Sequence, residues 1–157
     1  MRPTVRSALF VAVAALVALA PSACGKDKKP DQGAGTKPKV TVPSGNPPTT
    51  LQKKDLIVGK GAEATTGKKV TVQYVGVAFS TKKQFDASWD TGRPFPFTLG
   101  AGDVIKGWDE GVPGMKVGGR RQLVIPPDLA YGPNGYPPVI GPNETLVFVV
   151  DLVSVSS

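Results

Sequence analysis

The sequence predicts an α+β fold, a mostly antiparallel β-sheet of about five strands covered by one short α-helix. Three observations predict it. From about Thr49 onward the chain runs in short apolar stretches separated by turns, for which Gly (19) and Pro (16) are abundant. Several stretches alternate with period 2, as half-buried strands do. One segment alone carries apolar residues at helical spacing. In chain order, Asp55-Leu-Ile-Val58 is a short strand. Lys69-Val-Thr-Val-Gln-Tyr-Val75 alternates, so Val70, Val72 and Tyr74 share a face. Phe95-Pro-Phe-Thr-Leu99 groups Phe95, Phe97 and Leu99, and Pro96 suits an edge or a bulge because it has no N–H to donate. Val104-Ile-Lys-Gly-Trp-Asp-Glu-Gly111 is the helix, with Asp103 as its N-cap and Gly111 and Pro113 as its end. Arg121–Ile125 and Thr145–Val155 are the last strands. The latter is long and nearly all apolar on one side, which marks a central strand. Residues 49–157 are enough for a single core.

Composition removes several chemistries. There is no histidine, so no imidazole triad, Cys–His pair or His-ligated metal site can form. Cys24 is the single cysteine, so no intramolecular disulfide can form. The formal charge is +7; setting aside Arg2 and Arg6 leaves 17 basic against 12 acidic residues, or +5. No cluster of basic residues with stacking aromatics is present, which argues against nucleic acid as a partner. A mildly basic, solvated surface suits a place beside an anionic membrane or wall.

Residues 1–23 read as a secretory signal. Arg2 and Arg6 form its positive start, and Ala8–Ala20 is an apolar run of 13 residues. That is short of the ~18 needed to cross a bilayer as a helix. Ser22, Ala23 and Cys24 follow, a layout that resembles a bacterial lipoprotein signal in which the Cys becomes the lipidated N-terminus. Pro21 stands where such signals usually have Leu. The expectation is an exported protein anchored through Cys24 to the outer face of the bacterial cytoplasmic membrane; the alternative is an ordinary secreted protein. Residues 24–48 are expected to be a flexible linker, rich in Lys, Pro and Gly and without an aromatic residue. The domain is expected to span 49–157.

Within that domain an ordered set of strings resembles the FKBP-type peptidyl-prolyl cis–trans isomerases. The set runs Gln84-Phe-Asp-Ala-Ser88, Pro94-Phe-Pro-Phe97, Gly100, Val104-Ile-Lys-Gly-Trp108, Gly114–Arg120, Ile125–Gly132 and Thr145-Leu-Val-Phe148. The resemblance implies a strongly twisted antiparallel sheet wrapped around the short helix, with a hollow between them that binds proline. By position, Trp108 would be the floor of that hollow, and Tyr74, Phe85 and Phe148 its walls. Asp86, Phe95 and Val104 would complete it. The backbone N–H of Ile105 and the phenol of Tyr131 would hold substrate carbonyls. Ala130, Tyr136, Val139 and Ile140 would line the rim. Asp86, Tyr131, Trp108 and Phe148 are the catalytic set so implied. Taken singly, each aromatic reads as core and Asp86 as a turn residue; the order of the set lifts them.

Two positions depart from the family pattern. Thr91 stands where a basic partner of the Asp86 carboxylate is often found, and Tyr136 where some members have His. The resemblance implies proline-containing polypeptides and the family's macrolide inhibitors as partners, a monomer, and no cofactor or metal. The expected activity is acceleration of X–Pro isomerisation in exported polypeptides. The alternative is a non-catalytic proline-peptide-binding chaperone or adhesion module.

Overall fold

The computed structural model describes residues 35–157. The leader, Cys24 and the first part of the expected linker lie outside them. The strands are β1 (Gln52–Ile57), β2 (Lys69–Ala78), β3 (Gln84–Ala87), β4 (Phe95–Thr98), β5 (Arg120–Ile125) and β6 (Leu146–Ser156). The helices are α1 (Ser88–Thr91) and α2 (Lys106–Gly111), and two single 3-10 turns follow β5. The strands form one antiparallel sheet in the order β1-β5-β6-β2-β3, with β4 also on β2. Among the described residues no helix is long and apolar enough to cross a membrane.

β6 is central, as its apolar run predicts, because it is apolar on both faces. Leu146, Phe148, Val150 and Leu152 point into the main core with Val70 and Val72 of β2 and with Leu123 and Ile125 of β5. Val147 points the other way, against Val124 and Phe79. β4 pairs β2 alone, so Pro96 sits at an edge where its missing N–H costs no ladder bond. The sixth strand, beyond the five expected, is β3. Its four residues mix polar and apolar types and are too short to show a period.

α2 covers the inner face and begins two residues later than its spacing predicts. Asp103 does not cap it; its carboxylate accepts the Thr98 N–H at 3.1 Å instead. Asp109 inside the helix accepts the N–H groups of Gly100 and Gly102, at 2.8 and 3.1 Å, and so draws the preceding loop against the helix. Gly107 sets how closely the helix lies on the sheet, since a Cβ there would stand 2.4 Å from Ile125 Cγ2. At the other end, Arg121 Nη1 donates to the C=O of Gly111 and of Pro113 while Nε and Nη2 grip Asp55, which ties α2, β1 and β5 together.

The outer face is covered by residues assigned to the linker on composition. Residues 36–48 form a strap across the sheet, so the boundary expected at 49 moves toward the N-terminus. Val40 and Val42 pack on Val75, Val77 and Ala87, and on Phe79, Val124 and Val147. The C=O of Thr41 accepts from Gln122 Nε2 at 2.6 Å. Lys37 pairs with Asp90. Pro38 and Pro43 flank the valines and lack the N–H that a seventh strand would need.

Under the strap lies the ion pair of Arg120 and Asp151, 0% and 1% exposed, with Nε–Oδ1 at 2.5 Å and Nη2–Oδ2 at 3.0 Å. Arg120 Nη2 also donates to the C=O of Thr36. Arg120→Met leaves the Asp151 carboxylate buried without this pairing. It should cost about 3–5 kcal/mol in urea denaturation, whereas a shift below 1 kcal/mol would show the pair to be energetically idle.

Candidate active site

Between α2 and the inner face of the sheet lies a cavity of about 170 Å³. Trp108, held on the first turn of α2 and 4% exposed, is its floor. Tyr74 and Phe148 stand edge-on to the indole, with ring centroids 5.0 and 5.2 Å away at 78° and 85°. Phe85 meets Phe148 at 5.5 Å and 90°. These perpendicular contacts are the arrangement aromatic quadrupoles favour, and they fix four rings at set angles around a hollow. Phe97 packs behind Trp108 in the core and does not line the cavity.

All nine residues that the resemblance places in the hollow line it: Tyr74, Phe85, Asp86, Phe95, Val104, Ile105, Trp108, Tyr131 and Phe148. They come from β2, β3, β4 and β6, from α2 and the loop before it, and from the turns after β5, so only the assembled sheet brings them together. The rim residues divide. Tyr136 is 61% exposed and packs against Tyr131 with ring centroids 5.7 Å apart and planes tilted by 41°, and Val139 beside it is half-exposed. Ala130 is half-buried against the core. Ile140 is not at the rim: it is 4% exposed, inside the main core, and exchanges backbone hydrogen bonds with Tyr136 that close the loop. An apolar residue in a turn-rich loop gives no sign in the sequence of which way it points.

Two residues of the site carry no strong signal in the sequence. Asp103 lines the cavity through the position that its reading as a helix cap obscures. Gly76, in the middle of β2, leaves the room that the Phe85 and Phe148 rings occupy. A Cβ there would stand 2.6 Å from Phe85 Cζ and 2.7 Å from Phe148 Cε1. A glycine inside an alternating strand is the signal that could have found it, since such a residue marks a close approach.

The polar corner is built from a phenol in place of a cation. Tyr74 Oη donates to Asp86 Oδ2 at 2.6 Å. Burial pushes the Tyr74 phenol well above its ordinary range, and the hydrogen bond to Asp86 and its charge push it further. Burial also raises the Tyr131 phenol, with the Asp86 and Tyr136 groups adding to it. Both phenols therefore keep their protons and remain donors throughout neutral and mildly alkaline pH. Thr91 turns away from this corner and donates to the C=O of Ser88 at 3.0 Å, closing the turn of α1. On the floor, the indole N–H of Trp108 is buried without an acceptor among the described residues.

The cavity is wide enough for one small ring and is bounded by π-faces, with hydrogen-bond donors at its edge. Gly76→Ala should force the Phe85 and Phe148 rings off these positions at a cost of about 1–3 kcal/mol. Urea denaturation and the near-ultraviolet circular dichroism of the ring cluster measure it, and an unchanged spectrum would contradict the packing described.

Residues 60–153 match the family model of the FKBP-type peptidyl-prolyl cis-trans isomerases. The chain is 58% identical over 120 residues to an FK506-binding protein of Streptomyces anulatus, covering 76% of this chain and 97% of that protein. It is 54% identical over 119 residues to a probable FK506-binding protein of Corynebacterium glutamicum, covering 75% and 98%. Among solved structures, FkpA from Escherichia coli superposes with a TM-score of 0.62 at 44% identity, over 69% of this chain and 49% of that one. AtFKBP13 superposes with a TM-score of 0.64 at 38% identity, over 69% and 95%. A match that covers 76% of a 157-residue chain cannot begin later than about residue 39, so the stretch matched in the Streptomyces protein reaches into the residues of the strap. With the ring-lined cavity in the position the strings imply, this chain belongs to the FKBP-type peptidyl-prolyl cis–trans isomerases.

Proposed function

We propose that this isomerase accelerates X–Pro rotation in exported polypeptides and so assists their folding outside the cytoplasm. The observation that carries the reading is the aromatic cavity over Trp108. Its volume of about 170 Å³ is close to the ~150 Å³ of an engineered cavity that takes up benzene, so a pyrrolidine ring fits.

The reaction makes and breaks no covalent bond. Its barrier of ~18–20 kcal/mol is the loss of amide resonance at the twisted C–N bond. A catalyst must hold the twisted form more tightly than the planar one. Planar amides are the more polar, so a dry site walled by Tyr74, Phe85, Trp108 and Phe148 favours the twist. Ile105 N–H, at the start of α2, and Tyr131 Oη, both of residues lining the cavity, would take the substrate carbonyls that flank the rotating bond. Asp86, fixed by Tyr74, lines the same cavity; near the carbonyl of the rotating bond its negative charge would raise the energy of the polarised planar amide. Each ~1.4 kcal/mol gained at the twist is a tenfold rate. Tyr136 and Val139 meet the residues around the proline. The same hollow should take the macrolide after which the curated relatives are named.

Export rests on the leader at 1–23, and Cys24 is read as the site of lipid attachment at the outer face of the cytoplasmic membrane. Bacterial lipoproteins carry several acyl chains on that residue, and more than one chain is what firm anchoring needs.

Purified protein should accelerate cis–trans exchange in a prolyl peptide well above the uncatalysed rate, which has a time constant of about 10–100 s. Trp108→Ala should reduce kcat/KM by at least about tenfold. A folded protein that binds the peptide with no acceleration would establish the binding-module reading instead. Mass spectrometry of the mature chain should find an acylated Cys24 at its N-terminus; an unmodified end there would overturn the anchor.

A further inference from the structure

β3 is four residues long and hydrogen-bonds to β2 alone, yet it carries Phe85 and Asp86, one wall of the cavity. A short edge strand opens readily unless something holds it from another side. The strap holds it. Ala87, 3% exposed, packs with Val75 and Val77 under Val40, Val42 and Trp89. Asp90, just beyond β3, accepts from Lys37 Nζ at 2.5 Å and from Gln84 Nε2 at 2.7 Å. These two donors, Lys37 first, hold its carboxyl below the usual carboxylate range. The strap is itself pinned just before Lys37 and again between the two valines. The buried Arg120 donates to the C=O of Thr36 at 2.8 Å, and Gln122 donates to that of Thr41 at 2.6 Å.

We infer that residues 36–42 are a positioning segment for catalysis, in which Lys37, Val40 and Val42 fix the β3–α1 wall from behind and so set Phe85 and Asp86 against the substrate without touching it. The claim rests on the roles proposed for the cavity. It concerns a part of the chain that lies outside the residues matched by the family model. Rings whose angles are fixed by their neighbours lose their geometry when one wall relaxes, and small displacements at a rotating bond cost large factors in rate.

Lys37 and Asp90 are 42% and 49% exposed, and exposed ion pairs contribute little to stability. This contact therefore separates positioning from folding. In the full chain, Lys37→Glu should lower kcat/KM on a prolyl peptide by about fivefold to tenfold, mostly through KM, with the urea midpoint nearly unchanged. The charge swap Lys37→Glu with Asp90→Lys should restore it. Val40→Ala with Val42→Ala should lower kcat/KM further than its loss of stability accounts for. Unchanged kcat/KM in folded Lys37→Glu, or a loss that the swap does not restore, overturns the inference. Calorimetric Kd for the peptide distinguishes the two layers of the claim. A wild-type chain that binds the peptide without accelerating rotation refutes the proposed activity, and Lys37→Glu must still weaken Kd for the positioning claim to stand.

Discussion

β6 is apolar on both faces over Leu146–Val150, and that places most of the other elements. A strand of this kind must be covered twice. On the inner face the cover is α2, which lies close because Gly107 and Gly111 present no side chain to Ile125 and Leu123. On the outer face it is the strap, with two valines spread over β2, β3, β5 and β6. The chain burial on either side is of the order of 25 cal/mol for each Å² of apolar surface. Both covers are short segments whose apolar side chains are buried against the sheet.

The cavity follows from the shape of the inner cover. A six-residue helix is too short to fill the hollow of a sheet that curls around it. The space left beyond its first turn is lined by rings that would otherwise be core, and Trp108 belongs to both: one side seals the core and the other faces the hollow. This double membership explains a site with no nucleophile and no imidazole. Rotation about an amide asks for a surface that is dry, rigid and weakly polar in the right places, and such a surface is what the edge of a hydrophobic core already is. The polar groups added to it are few and braced by one another, as the Tyr74–Asp86 hydrogen bond shows.

Much of this was legible in the sequence, and the parts that were not fail for physical reasons. β2 and β6 show their alternation because one face is buried along their length. The residues of the cavity were legible through their order along the chain and not through periodicity, since they come from strands far apart in sequence. β3 was hidden because four residues with one ladder carry no pattern. The start of α2 was misplaced because Asp103 had a choice of amides to serve, and that of Thr98, at the end of β4, won. Ile140 was misplaced because its loop folds back on itself through backbone bonds. The strap was hidden by its composition. Lys39-Val-Thr-Val42 and Lys69-Val-Thr-Val72 are the same tetrapeptide. The second is a strand and the first is not, because Pro38 and Pro43 withhold the amides that a ladder would use. The missing cover was nonetheless implied by β6, where Val147 and Val149 alternate with the inward Leu146, Phe148 and Val150.

The strap also changes how far the protein can reach. With the chain fixed from Thr36 onward, the span between Cys24 and the folded body is 12 residues. Fully extended, that is at most about 40 Å, against about 85 Å for a tether running to Thr49. A body of this size has a radius of gyration of about 14 Å. Under the anchoring proposed above, the shorter tether would confine the enzyme to a shallower layer than a linker running to Thr49 would allow. An enzyme so held would meet chains emerging from the membrane at a high effective concentration, and seldom those that have diffused away.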